Sequence, residues 1–109
     1  MKKEKEKKFP DSFFWGSASS SYQVEGGIEN CDWSLWAEKG YLPKAGRACD
    51  HYHLYEKDFD IAKSLSQNAH RFSIEWARIE PKEGKFDEKE IEHYRKVMRA
   101  LRTRGLEPF

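Results

Sequence analysis

A handful of side chains in this sequence could do chemistry. Gln23 carries a carboxamide, which places a donor and an acceptor on one planar group. Such a group can pair with two neighbouring hydroxyls of a ligand, but capping a turn is the simpler reading of the residue alone. Glu25 and Glu75 are candidates for a carboxyl pair. Two carboxyls about 5–5.5 Å apart can act on a glycosidic bond as nucleophile and as acid/base. Arg71 lies between apolar residues, and a buried arginine needs a carboxylate partner. Glu75 is the local candidate. Cys49, His51 and His53 offer metal-ligand atoms. Two histidines two apart on a helix diverge by about 200° and share no face, so polar residues opening a helix are the simpler reading and no metal is expected. Trp33, Trp36 and Trp76 could stack on sugar rings or pack loops; packing is the expectation for at least two of them.

These side chains must be held by the elements around them. Phe13-Phe14-Trp15-Gly16 reads as a short strand running into the small residues Ser17 to Ser21. Gly26-Gly27 and Asn30 predict a turn-rich connection, and Trp33 to Lys39 a short helix stopped by Gly40. Pro43 and Gly46 mark a loop. Asp50 suits an N-cap, with Tyr52, Tyr55, Phe59, Ala62 and Leu65 following at helical spacing up to Asn68. Ala69 to Ile74 predicts a strand, with His70, Phe72 and Ile74 on one face and Arg71 and Ser73 on the other. After a connection containing Pro81 and Gly84 comes a second long helix. Asp87 is its cap, Glu90 the capping-box partner, and Ile91, Tyr94, Met98 and Leu101 its buried stripe. Acids open this helix and arginines close it, as its dipole favours. Gly105 stops it, and Leu106 to Phe109 begins another strand.

Strand, helix, strand, helix and strand stub make the βαβα order of a parallel sheet. Two and a half such units cannot close a barrel, which takes eight strands and roughly 250 residues. The 109 residues therefore read as part of a longer α/β protein.

Composition narrows the function classes. Lys+Arg number 20 and Asp+Glu 19, a net charge of +1. The first eight residues hold five Lys and two Glu, so the remaining 101 are mildly acidic, with 15 basic and 17 acidic groups. No basic patch calls for nucleic acid or a membrane surface. No run approaches the roughly 18 apolar residues of a membrane span. The leader, residues 1–8, is charged and expected to be disordered; it lacks the apolar region of a secretory signal. Cys31 and Cys49 form neither a CxxC pair nor a disulfide framework, so free thiols and a cytoplasmic location are expected. Sixteen aromatics, 15% of the chain, indicate a thick core or a surface that stacks on sugars. Nothing in the sequence sets an oligomeric state.

Residues 13–27, Phe-Phe-Trp-Gly-Ser-Ala-Ser-Ser-Ser-Tyr-Gln-Val-Glu-Gly-Gly, have the form F-x-W-G-x-A-x-S-S-Y-Q-x-E-x-G. This resembles the N-terminal signature of family 1 glycoside hydrolases, the β-glucosidase and β-galactosidase type. Asp50-His51-Tyr52, Arg71-Phe72-Ser73-Ile74-Glu75-Trp76 leading to Arg78-Ile79, and Gly105-Leu106-Glu107-Pro108-Phe109 resemble further landmarks in family order. The resemblance covers residues 9–109. It implies the N-terminal portion of a (β/α)8 TIM barrel, about two βα units plus the start of a third strand, and retaining hydrolysis of a terminal β-linked sugar without cofactor or metal. It implies that Gln23 holds the sugar beside the cleaved bond. It also implies that Arg71 orients the nucleophilic glutamate and keeps it ionised. The family takes its catalytic pair from an Asn-Glu-Pro and a Glu-Asn-Gly, and neither occurs here. Glu29-Asn30-Cys31, Ile79-Glu80-Pro81 and Leu106-Glu107-Pro108 are near misses. The segment is thus expected to supply sugar-binding residues, with a β-glycoside or oligosaccharide as partner, but not the catalytic glutamates. The alternatives are a non-catalytic carbohydrate-binding fragment or an inert piece of a split gene.

Overall fold

The computed structural model describes residues 3–109; Met1 and Lys2, the start of the leader, lie outside the described residues. Residues 3–8 carry no helix or strand and are exposed. The elements are β1 (Gly16–Ala18), α1 (Ser21–Val24), α2 (Asp32–Glu38), α3 (His51–Ser64), β2 (Ala69–Arg71), α4 (Trp76–Ile79), α5 (Glu88–Thr103) and β3 (Glu107–Pro108). The strands form one parallel sheet in the order β1-β2-β3, pairing Gly16 with Ala69, Ala18 with Arg71, and His70 with Pro108.

The first strand lies three residues later than the aromatic run suggests. The aromatic run is held by Asn68 rather than paired along β2: Oδ1 accepts from Trp15 N at 2.7 Å, Nδ2 donates to Phe13 O at 3.1 Å, and the Asn68 backbone N–H donates to Trp15 O at 2.8 Å. The rings collect instead with one another, Phe9, Phe13 and Trp15 all at 4.7 Å between centroids. Pairing begins at Gly16, the first residue without a bulky side chain.

The helices pack on the His70 face of the sheet. Phe59 and Ala62 from α3 meet Val97, Ala100 and Leu101 from α5 and Leu106 before β3, with Tyr55 and Phe72 against them. The α5 stripe is thus Tyr94, Val97 and Leu101 rather than the set containing Met98, which is 36% exposed at its edge. A spacing of three and then four keeps these three on one line, and Met98 falls beside it. Ile74 and Leu65 are both exposed because each lies past the end of its element.

The two long helices end alike. After α5, Gly105 at φ +69° lets its own N–H reach Arg102 O and that of Leu106 reach Leu101 O, the paired bonds of a Schellman motif. After α3, Ser66 at φ 62° does the same, with Ser66 N to Lys63 O and Gln67 N to Ala62 O. The helix therefore stops short of Asn68. At its start Asp50 is left-handed, φ 52°, and makes no side-chain cap; its carboxylate takes His53 Nδ1 at 2.7 Å instead. The Asp87 cap of α5 is present, accepting from Lys89 N and Glu90 N. Glu90 does not close a capping box, because the Asp87 N–H goes to Ile79 O and the Glu90 carboxylate to the Tyr52 hydroxyl. Among the described residues no helix is long and apolar enough to cross a membrane.

Candidate functional site

The chain leaves β1 at Ala18, passes Ser19 and Ser20, and turns into α1 at the C-terminal ends of the strands. Four residues cannot hold a helix by themselves, and Ser20 offers α1 no side-chain cap. The fixing bonds come from Ser73 and Glu75. Ser21 N donates to Ser73 Oγ at 2.8 Å, Ser73 Oγ donates to Ser21 Oγ at 3.1 Å, and Ser21 Oγ donates to Glu75 Oε2 at 2.7 Å. This docks α1 on the segment that follows β2.

Gln23 stands exposed on that docked turn. Its Oε1 accepts from Ser20 Oγ at 2.8 Å, which orients the amide. It borders a groove of about 460 Å³ with Ser20, Tyr22, Trp33, Leu42, Pro43 and Ala45. A second groove, about 300 Å³, adjoins it through Trp33 and Leu42 and reaches Trp36. Trp33, Trp36 and Trp76 are each more than half exposed. Trp36 meets Tyr41 at 5.2 Å and Trp76 meets Phe86 at 6.2 Å, so both touch loops without being covered by them.

Arg71 is the last residue of β2 and, contrary to the buried setting its apolar neighbours suggest, is exposed. The helices cover the opposite face, where His70 is buried and Phe59 lies 5.5 Å away. The suggested pair with Glu75 does not form, and no ion pair of Arg71 occurs among the described residues. His70 sits between Ser17 Oγ at 3.2 Å and Ser19 Oγ at 3.1 Å. With the Ser17 hydroxyl donating to Gln67 Oε1, the bonding pattern assigns the proton to Nδ1 and leaves Nε2 to accept from Ser19. Burial holds its pKa below the ordinary value.

Glu25 and Glu75 do not form an open carboxylate pair, because all four oxygens are engaged. Glu25 is 4% exposed. The Tyr94 hydroxyl lies 2.8 Å from each of its oxygens, and Arg78 Nε donates to Oε1 at 3.2 Å. Glu75 accepts from Ser21 through one oxygen and from Ala77 N through the other. Burial pushes the Glu25 carboxyl up against the opposing pull of Tyr94 and Arg78. The Tyr94 phenol is pushed far up by burial and by the Glu25 charge. His51 pairs with Asp58 and His53 with Asp50, each at 2.7 Å, on separate partners.

Tyr94 belongs to the core stripe that the spacing predicts, and periodicity cannot distinguish its hydroxyl from a phenylalanine edge. It likewise does not place Ser21 and Ser73 together, since they are 52 residues apart.

Residues 5–109 match the family described as glycosyl hydrolase family 1. The chain is 37% identical to β-glucosidase A of Thermotoga maritima over 113 aligned residues, which cover 94% of this chain and 25% of that protein. A β-glycosidase structure from Pyrococcus horikoshii superposes with a TM-score of 0.86 at 44% identity, over 94% of this chain and 24% of that one. A rice β-glucosidase structure superposes with a TM-score of 0.85 at 33% identity, over 93% and 23%. The chain thus spans about a quarter of the length of the relatives it matches. The three parallel strands and their helices have the architecture of the N-terminal portion of the barrel in those structures.

Proposed function

The chain belongs to glycosyl hydrolase family 1, and on that footing we propose that it holds the sugar in a barrel that hydrolyses terminal β-D-glycosidic bonds with retention. The relatives named above are β-glucosidases and β-glycosidases, which supports a β-glucoside as substrate. One observation carries the reading. The Ser21–Ser73 bonds seat α1 across the C-terminal ends of β1 and β2 and leave the Gln23 amide exposed beside a groove. Barrel enzymes of parallel strands build their sites at that end.

In the proposed reaction one glutamic acid protonates the leaving oxygen and a second attacks the anomeric carbon. Water then releases the sugar from the covalent intermediate. Neither glutamate comes from this segment. Gln23 pairs with two sugar hydroxyls, its NH2 donating to one and Oε1 accepting from the next, beside the bond it already receives from Ser20. Arg71 lies at the same end of the sheet, on the open face. Its cation lowers the pKa of a nucleophile brought opposite it and keeps that carboxylate ionised.

The test is a hybrid barrel in which residues 9–109 replace the matching segment of Thermotoga maritima β-glucosidase A. The hybrid is expected to hydrolyse an aryl β-glucoside. Gln23→Ala is expected to raise KM and lower kcat, reducing kcat/KM by about 100-fold, because hydrogen bonds that tighten in the transition state are lost. Unchanged kinetics would remove Gln23 from the site.

A further inference from the structure

We propose that Glu25, Tyr94 and Arg78 act as positioning residues for Gln23: together they clamp the C-terminal end of α1 and thereby fix the direction in which the amide meets the sugar. The proposal rests on the reading of Gln23 as the sugar-holding residue.

The need for such a device follows from the element itself. The internal bonds of α1 are few: Val24 N to Ser20 O and Glu25 N to Ser21 O close its single turn. Gly26 and Gly27 both have positive φ, so the chain leaves the helical conformation after Glu25 and gives the helix no continuation to lean on. Position must therefore come from outside. At the N-terminal side it comes from Ser73 and Glu75, through Ser21. At the C-terminal side three elements converge on two residues. The Tyr94 hydroxyl on α5 meets both Glu25 oxygens. Arg78 on α4 donates Nε to Glu25 and a terminal nitrogen to Gly26 O at 2.7 Å. Tyr52 on α3 donates its N–H to Glu25 O at 3.2 Å, and its ring lies under the Arg78 guanidinium at 4.2 Å.

The two sides are joined. Tyr94 Oη, which donates to Glu25, also accepts from Glu75 N at 3.1 Å. Ser21, Glu75, Tyr94 and Glu25 thus form a closed circuit of directional bonds around α1, with Gln23 between its two anchored ends. A buried charged pair is weak evidence for stability, since apolar residues of like volume commonly serve as well. What it supplies is orientation, and here the group oriented is the turn that carries Gln23.

The hybrid barrel allows a double-mutant cycle. Glu25→Gln keeps the shape and removes the charge; Tyr94→Phe removes only the hydroxyl and carries the cycle if Glu25→Gln does not fold. Each is expected to lower kcat/KM on an aryl β-glucoside by about 10-fold, more through kcat than KM. In a Gln23→Ala background the same substitutions are expected to change kcat/KM by less than about 2-fold, because the group they position is gone. Equal losses in both backgrounds would overturn the proposal and leave the clamp as scaffold alone. A Gln23→Ala hybrid as active as its parent would instead overturn the reading on which it rests, and that result appears before any clamp variant is compared.

Discussion

Gly16 runs so close to β2 that a Cβ on it would stand 2.5 Å from the carbonyl oxygen of Ala69 and 3.3 Å from the Ala69 methyl. The Ala69 oxygen belongs to the backbone and cannot swing away, so the requirement for glycine here is one of space. Gly16→Ala forces β1 off β2 and disturbs the strand that leads into the Gln23 turn. A loss of about 2 kcal/mol, typical of inserting a methyl into packed structure, is expected from urea denaturation of the hybrid barrel. A variant of unchanged stability would show that the two strands can separate freely.

Ser66 occupies a conformation that suits glycine, at φ 62°, in the same motif that Gly105 forms at φ 69°. A side chain in the left-handed region costs about 1 kcal/mol or more, partly offset by the greater freedom of glycine in the unfolded chain. Ser66→Gly is therefore expected to raise stability by about 0.5 kcal/mol and Gly105→Ser to lower it by a similar amount. The pair of denaturation midpoints should move in opposite directions; a parallel shift would contradict the shared geometry.

These two positions also explain what could be read from the sequence. Glycine at 105 announces its helix end, and the parallel strand order and the Asp87 cap are legible from side-chain type and spacing. Serine at 66 announces nothing, so the helical spacing points on to Asn68 while α3 ends at Ser64. The aromatic run at 13–15 has strand propensity, but Asn68, 53 residues away, takes its backbone bonds. Cys31 caps α2 through Sγ accepting from Ser34 N at 3.4 Å, a role that residue type does not advertise. The clamp was hidden for a related reason. Glu25 and Tyr94 are 69 residues apart, and only tertiary structure shows that the acid at the end of α1 accepts from a phenol in a helix stripe.

His93 gives the fold a defined acid limit. Its ring stacks on Tyr52 at 3.8 Å, with the edge of Tyr55 at 5.5 Å. Burial, with repulsion from Arg78, His51, His53 and Lys96, lowers its pKa from 6.5 to about 4. Between those values the unfolded chain binds more protons than the folded one, so stability rises with pH across the window. The contribution is complete above pH 6.5 and is lost as pH falls toward 4. His93→Phe keeps a ring against Tyr52 and removes the titration. Denaturation midpoints of the hybrid barrel should therefore fall less steeply from pH 6.5 to 4 in the variant. Parallel slopes would mean that His93 titrates freely in the folded protein.

Assayed by themselves, the 109 residues are expected to give no turnover of an aryl β-glucoside above background. Retaining hydrolysis needs two free carboxyls facing one bond about 5–5.5 Å apart. Glu25 is 4% exposed and held by Tyr94 and Arg78. Glu75 is bound through both oxygens, to Ser21 and to Ala77 N. Freeing either one would undo the seat of α1, so neither can turn to a substrate without displacing Gln23. Activity in the purified chain that disappears with Glu75→Gln would show that this carboxylate does leave its cap, and would return Glu25 and Glu75 to candidacy as the reacting pair.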